Sequence, residues 1–330
     1  MSVPTDTDFP TSLEGNSMDP VIEQTVPVAP LVEGETPGRK QGVPKVSYES
    51  NADVQRWLQE HALEEGARPP FNPTFLAGLR DRDWILSSLT SFYKEELITD
   101  VVHVVKSGKE ATVYCCTAAP GTGVDYLAAK VYRPRMFRSL SNDAQYRESR
   151  MRRDESGRVA RSSRRGGPGR KSERGRSVQV VNWINYEYET QQLVWDAGAD
   201  VPRPRSTMGN AVLMDYVGDL GAPAPHLREV RLERAEARPL FDGVIRNIEL
   251  FLACDRIHGD LSAFNMLYWE GKIIIIDFAQ AVDPRYNPEV YSLLERDVAR
   301  VCDYFARFGV QADAGAIAGE LWARYLGGDL

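Results

Sequence analysis

The chain has 330 residues, 42% of them hydrophobic and 26% charged, with four cysteines and a formal net charge of -7. This balance lies near the globular average and excludes both a wholly disordered chain and a membrane bundle; the longest purely aliphatic run, Ile273 to Ile276, cannot span a bilayer. The cysteines show no C-x-x-C spacing and no disulfide framework, so reduced, buried thiols are expected. The N-terminus has no basic residue ahead of an apolar segment and so lacks a secretory signal, which places the protein in the cytoplasm.

Residues 1–48 carry seven acidic and three basic side chains and seven prolines, too little apolar surface to offset ordering entropy, and read as a disordered acidic tail. Residues 49–98 form a helical extension, with a helical pattern from Val54 to Leu97 broken at Arg68-Pro69-Pro70. Strands follow at Val101 to Val105 and Thr112 to Cys116, flanking a turn at Ser107-Gly108-Lys109, with a third at Tyr126 to Tyr132. Residues 147–176 hold twelve Lys or Arg against four Asp or Glu, a local balance of +8, and the surrounding stretch 139–178 reads as a mobile Arg-rich loop. Val180 to Trp195 is helical, and a Pro-rich link leads to a strand at Ala211 to Tyr216. A longer helix, Leu240 to Asp255, runs into His258-Gly259-Asp260.

The most informative stretch comes next: H-G-D-L-S-A-F-N-M-L-Y-W-E-G-K-I-I-I-I-D-F. Two short β runs, Met266 to Tyr268 and Lys272 to Ile276, surround a turn containing Gly271 and should pair as a hairpin. Asn265 precedes the first strand and Asp277 follows the second, so antiparallel pairing draws their side chains together, with Asp260 five residues upstream in the same loop. Two oxygen ligands and a third carboxylate at one end of a hairpin suit a hard divalent cation with a proton acceptor beside it. Phosphoryl transfer of the kinase kind needs those parts: Asp260 to orient or deprotonate the attacking hydroxyl, Asn265 and Asp277 to hold magnesium on the nucleotide phosphates. The plain alternative is an acidic turn in which Asp and Asn cap a loop.

Such a site also needs a strand lysine for the α and β phosphates and a helix carboxylate to steer it. Lys130, in Leu127-Ala128-Ala129-Lys130-Val131-Tyr132, fits the first. On the following helix, Val180, Trp183, Ile184, Tyr188 and Val194 define one face; Glu187 falls within it and Glu189 opposite, so Glu187 is expected to pair with Lys130. The same periodicity puts Asp297 on the inward stripe of a late helix. There it either accepts hydrogen bonds from the His258 to Asp260 backbone or pairs locally with Arg296 or Arg300. Ser107, Gly108 and Lys109 form a loop with a single glycine that matches neither G-x-G-x-x-G nor Walker A. Beside Lys130 its backbone N–H groups could contact a triphosphate, with adenine against Met214 and Tyr216.

With these parts in view the sequence resembles the RIO family of atypical serine/threonine kinases and ATPases. The match is carried by S-G-K-E-A-T-V-Y (107–114), A-A-K-V-Y (128–132), W-I-N-Y-E-Y-E (183–189), L-M-D-Y-V-G (213–218), H-G-D-L-S-A-F-N-M-L (258–267) and I-D-F-A-Q-A-V (276–282), in family order. The resemblance implies an α+β, two-lobed protein-kinase-like fold of reduced type. An N-lobe at 99–216 would hold an antiparallel sheet and one main helix, and a mostly helical C-lobe at 217–330 the catalytic hairpin. It implies ATP and Mg2+ as cofactors, and an Asp277 that itself becomes phosphorylated during turnover. It also implies autophosphorylation in the Arg-rich insertion, where Ser162, Ser163, Ser172 and Ser177 are available. No A-P-E sequence follows Val282, and Gly259 stands where ordinary protein kinases carry arginine, so docking of a protein substrate and regulation by an activation-loop phosphate lose their usual supports.

Two other readings use the same residues. Aminoglycoside and choline kinases share H-G-D-x-x-x-x-N followed by I-D-F, which allows a small-molecule phosphotransferase. A scaffold gated by ATP would instead use the basic loop 147–176 for RNA or ribosomal phosphates, against the plain reading of a solvated loop. The G-K-E-A loop and the Arg-rich insertion favour the first reading. No membrane partner is expected.

Overall fold

A computed structural model describes residues 69–75, 82–133, 173–286 and 289–330, with side chains from residue 181 onward in the helix that begins at 173. The acidic tail, the extension before residue 82 apart from 69–75, and the Arg-rich loop up to residue 172, with Ser162, Ser163 and Ser172, lie outside the described residues.

Helix α1 (Arg82–Lys94) leads into an antiparallel sheet of β1 (Ile98–Ser107), β2 (Ala111–Ala118), β3 (Tyr126–Tyr132), β4 (Pro204–Met208) and β5 (Ala211–Asp215), in the order β1-β2-β3-β5-β4. Helix α2 (Glu173–Asp196) connects β3 to β4. The two-residue period of β3 divides its side chains. Leu127, Ala129 and Val131 are buried with Ile85, Leu89 and Phe92 of α1, while Tyr132 packs on the other face with Trp183 and Ile184 of α2. Lys130 shares that second face by parity, so the sheet itself aims it at α2. Leu89 and Phe92 are fully buried, each contributing about 2–3 kcal/mol of transfer free energy to holding α1 on the sheet.

A buried asparagine ties these layers together. Asn210, in the β4 to β5 turn, donates from Nδ2 to Ser88 Oγ of α1 at 2.9 Å and to the Tyr132 carbonyl at 3.2 Å. The Tyr132 N–H returns a bond to the Asn210 carbonyl at 2.9 Å.

The remainder comprises a small ribbon of β6 (Gly218–Asp219) and β7 (Ala222–Pro223), helix α3 (Arg234–Ala253), the hairpin β8 (Met266–Trp269) and β9 (Lys272–Ile275), and helices α4 (Val290–Ala306) and α5 (Ala314–Gly327). Phe241, Val244, Ile248 and Phe251 of α3 pack in one core with Leu294, Val298, Val301 and Phe305 of α4. Met266, Ile273 and Ile275 anchor the hairpin in that core. Its register pairs Met266 with Ile275 and Trp269 with Lys272, closed by Glu270 (φ 49°) and Gly271 (φ 75°). Two positive φ values in a two-residue turn match the twist of the flanking strands.

Several boundaries differ from the sequence reading: the helix before the sheet ends at Lys94 rather than Leu97, and β1 starts at Ile98, inside the expected helical extension. The Pro-rich link contains β4, which the sheet tolerates because β4 is an edge strand and Pro204 its first residue. Helix α3 begins at Arg234, six residues before Leu240, with Pro239 inside it; the Glu233 N–H donating to Glu236 Oε1 at 3.1 Å fixes the earlier start. The expected loop 139–178 is cut short at its C-terminal end, since α2 already starts at Glu173, with no proline between Pro168 and the end of the helix and an acidic residue to favour its first turn. Ser177 therefore lies in helix.

All four cysteines are free, with Cys115, Cys116 and Cys302 buried. Burial pushes the Cys115 thiol up to about 11, so it is protonated at neutral pH. Among the described residues no helix is long and apolar enough to cross a membrane.

Candidate active site

Three elements converge on one ammonium group. Lys130 Nζ lies 2.6 Å from Glu187 Oε1 of α2 and 2.8 Å from Oδ1 of Asp277, the residue just past β9 and Ile276. Glu187 is buried and Glu189 exposed, as the helical period requires. The Asp277 side chain is 44% accessible and so reaches solvent. Burial alone would lower the lysine's pKa, but Asp277 and Glu187 outweigh it and hold the ammonium well above the ordinary lysine range. Reciprocally, Lys130 depresses the Asp277 carboxyl against the opposing effect of burial. Asp277 sits at φ 72° and ψ 71°, a left-handed conformation that is strained for a residue with a Cβ and that turns the carboxylate out of the strand path.

The loop 258–265 is held from below. Ile257 pairs with Val282 through N–H to carbonyl bonds of 3.0 and 2.9 Å. The His258 ring is buried, with Nε2 3.1 Å from the Ile276 carbonyl and its centroid 5.0 Å from that of the tilted Phe278 ring. Asp297 of α4 accepts from the Gly259 N–H at 2.7 Å and the Leu261 N–H at 3.0 Å. The expected backbone role of Asp297 is thus seen, and among the described residues it forms no ion pair with Arg296 or Arg300. Burial pushes the Asp297 carboxyl up, opposed by His258, the two N–H groups and Arg296. Arg296 donates to the Gly259 carbonyl, and Arg300 donates from Nη1 to Asp260 Oδ1 at 2.9 Å.

Asn265 completes this corner. Its Nδ2 donates to the Asp260 carbonyl at 2.9 Å and to Asp260 Oδ2 at 3.2 Å, and its carbonyl accepts from the Ile276 N–H at 3.0 Å. With the amide nitrogen committed to Asp260, the amide oxygen remains available. Asp277 keeps one carboxylate oxygen beyond the one on Lys130. Two hard oxygens beside a triphosphate suit Mg2+, which takes one or two protein oxygens and completes its shell with phosphate and water. Among the described residues there is no group of three His, Cys, Asp or Glu suited to a metal.

The other sequence candidates lie in the β1 to β2 turn and at the end of β5. Ser107, Gly108 and Lys109 are exposed at the β1 to β2 turn, closed by a 2.9 Å bond from the Gly108 N–H to the Ala111 carbonyl. Arg133 braces the turn, with Nη2 donating to Ser107 Oγ at 2.5 Å and Nε to Thr112 Oγ1 at 3.2 Å. Met214, the penultimate residue of β5, is half-buried against the Tyr132 and Trp183 cluster. Tyr216 donates from its hydroxyl to the Asp219 carbonyl at 3.1 Å.

Sequence reasoning missed Tyr132 and Lys106 and gave Arg296 and Arg300 only as local partners of Asp297, whereas they donate to the Gly259 carbonyl and to Asp260 Oδ1. Tyr132 follows from Lys130 by strand parity. Lys106 contacts His226 Nε2 at 3.0 Å and adds to the field that depresses Asp277; no local pattern announces it.

Comparisons with known proteins point to one family. A family model described as "RIO domain" matches residues 112–317. The chain is 30% identical over 213 residues to "Serine/threonine-protein kinase RIO1" of Caenorhabditis elegans, covering 62% of this chain and 37% of that protein. It is 28% identical over 271 residues to "RIO-type serine/threonine-protein kinase Rio1" of Methanocaldococcus jannaschii, covering 79% of this chain and 82% of that one. The chain thus spans little more than a third of its nematode relative. In fold it is similar to the Rio2 kinase of the ADP/Mg2+-phosphoaspartate complex from Chaetomium thermophilum, with a TM-score of 0.50 at 18% identity, over 71% of this chain and 65% of that one. Because the domain model spans more than half of the residues, with Lys130, Glu187, Asp260, Asn265 and Asp277 inside it, the chain belongs to the RIO domain family.

Proposed function

We propose that this chain is a Mg-ATP-dependent phosphotransferase of RIO type, an atypical serine/threonine kinase or ATPase. The observation that carries the reading is Lys130 bridging Glu187 and Asp277, at 2.6 and 2.8 Å. That arrangement sets a largely buried ammonium beside an accessible carboxylate. Lys130 would bind the α and β phosphates, with Ser107, Gly108 and Lys109 covering the triphosphate and Met214 and Tyr216 flanking adenine. Asn265 and Asp277 would hold Mg2+, which neutralises charge on the transferring phosphoryl group when bound. Asp260, fixed by Arg300 and Asn265, would orient the attacking oxygen and take its proton.

The phosphoaspartate named for the Rio2 complex supports a second role for Asp277. A carboxylate oxygen would form a bond to the γ-phosphorus as the bond to the β,γ-bridging oxygen breaks. This leaves ADP and an aspartyl phosphate that water then hydrolyses. We read 99–216 as the N-lobe and 217–330 as the C-lobe, with α1 belonging to the first. The four unpaired thiols suit a reducing, cytoplasmic setting. The +8 balance of residues 147–176 supports an RNA or ribosomal contact, to be tested by deleting them and following RNA binding against salt.

The central experiment measures Mg-dependent ATP binding, hydrolysis and autophosphorylation for wild type, Asp260→Ala and Asp277→Ala. Turnover by wild type alone supports the reading, and a wild type that neither binds nor hydrolyses ATP rejects it. Efficient phosphorylation of an aminoglycoside or choline would move the chain to the small-molecule class.

A further inference from the structure

The Lys130 and Glu187 pair has a third member. Tyr132, two residues beyond Lys130 on the same face of β3, is 1% exposed and donates its hydroxyl to Glu187 Oε2, the oxygen that Lys130 does not use. Its ring meets Trp183 edge-on, with centroids 4.9 Å apart and planes at 82°, and Trp183 lies one turn before Glu187 on α2. Lys130 Nζ stands 5.3 Å from the centre of the same ring. Burial and the neighbouring Glu187 carboxylate push the phenol's pKa well up, so it remains a donor across the working pH range.

We propose that Tyr132 is a positioning residue for nucleotide binding: its hydroxyl locks the Glu187 carboxylate from the sheet side and thereby keeps Lys130 directed at the phosphates. A carboxylate held by one partner rotates about its last side-chain bond; held by both oxygens it does not. Trp183 fixes the helix turn that carries Glu187, and Asn210 fixes the backbone that carries Tyr132. The inference rests on the nucleotide-site reading above and adds to it the residue that sets the alignment.

The test is Tyr132→Phe in the full chain, which keeps the ring against Trp183 and removes only the hydroxyl. Mg-ADP affinity is measured by calorimetry at a temperature where each variant is fully folded by circular dichroism, beside kcat and KM for ATP. The expected result is a Kd and KM for nucleotide raised roughly tenfold, with a much smaller change in kcat. In the Glu187→Gln background the same substitution should add less than about twofold, because the group it positions is already altered. A Tyr132→Phe protein that is less stable but binds Mg-ADP as wild type does, or whose effect multiplies fully with that of Glu187→Gln, overturns the inference while leaving the nucleotide site standing. A wild type that binds no nucleotide overturns both. Should Tyr132→Phe fail to fold, Trp183→Phe, which loosens the ring but leaves the hydroxyl, is read in its place: unchanged nucleotide affinity there counts against the inference and a raised Kd supports it.

Discussion

Arg300 reaches from α4 to Asp260 Oδ1 at 2.9 Å, while Asp297, three residues earlier on the same helix, accepts from the backbone on either side of Asp260. One helix face thus sets both the path of the loop and the orientation of its carboxylate. The two contacts differ in character. Asp297 is 1% exposed, whereas the Arg300 and Asp260 side chains are 40% and 50% accessible.

Removing Asp297 should therefore be felt in folding. Asp297→Ala strands two buried N–H donors, and we expect about 3 kcal/mol of lost stability in urea denaturation, with ATP turnover falling further than the folded fraction does. Asp297→Asn, which can still accept one bond, should recover part of that loss.

Removing Arg300 should be felt in turnover. A half-exposed ion pair is worth less than about 1 kcal/mol, so Arg300→Met should unfold within a few degrees of wild type. Freed on one side, Asp260 loses its fixed orientation, and kcat should drop about tenfold while KM for ATP stays nearly constant. A raised KM with unchanged kcat would assign Arg300 to nucleotide binding instead.

Two glycines with similar backbones separate strain from crowding. Gly259 (φ 77°) and Gly271 (φ 75°) both occupy the left-handed region, but a Cβ at Gly259 would stand 2.5 Å from the Gln280 carbonyl oxygen and one at Gly271 would meet nothing within 4 Å. Gly271→Ala should cost about 1 kcal/mol, the conformational penalty alone. Gly259→Ala should cost about 3 kcal/mol or more and reduce ATP turnover, because the loop must move away from Gln280. Thermal unfolding of the pair reads both.

Acid should reveal the Lys130 and Asp277 contact. Asp277 titrates below its ordinary value of 3.8, mainly through Lys130, so its contribution to stability is complete above the unfolded value and lost as pH falls through the folded one. The stability difference between wild type and Asp277→Asn should be constant from neutral pH down to about pH 5 and shrink below 3.8. Urea midpoints taken between neutral pH and pH 3 test this.

Where a feature depended on local period, the sequence carried it. Strand parity placed Lys130, helical period separated Glu187 from Glu189 and turned Asp297 inward, and Gly271 marked the hairpin that brings Asn265 and Asp277 to one end. Features that depend on how elements meet were illegible. Arg300 seemed a neighbour for Asp297, since nothing in the local pattern says that the next turn of α4 overhangs Asp260. Pro204 hid an edge strand because the rule against proline in sheets holds only for central strands. Lys106 and His226 are 120 residues apart, and only the assembled fold brings them within 3.0 Å.

Helix α1 and strand β1 precede the matched segment 112–317, yet they supply one wall of the sheet's core, and Ser88 receives the Asn210 amide that also grips Tyr132. Trimming the protein to its recognisable domain would bare the underside of β3 and β5 and leave that amide short of a partner. The stretch that is easiest to recognise by homology is smaller than the stretch that must be made as one piece for expression, and cloning boundaries should follow the second.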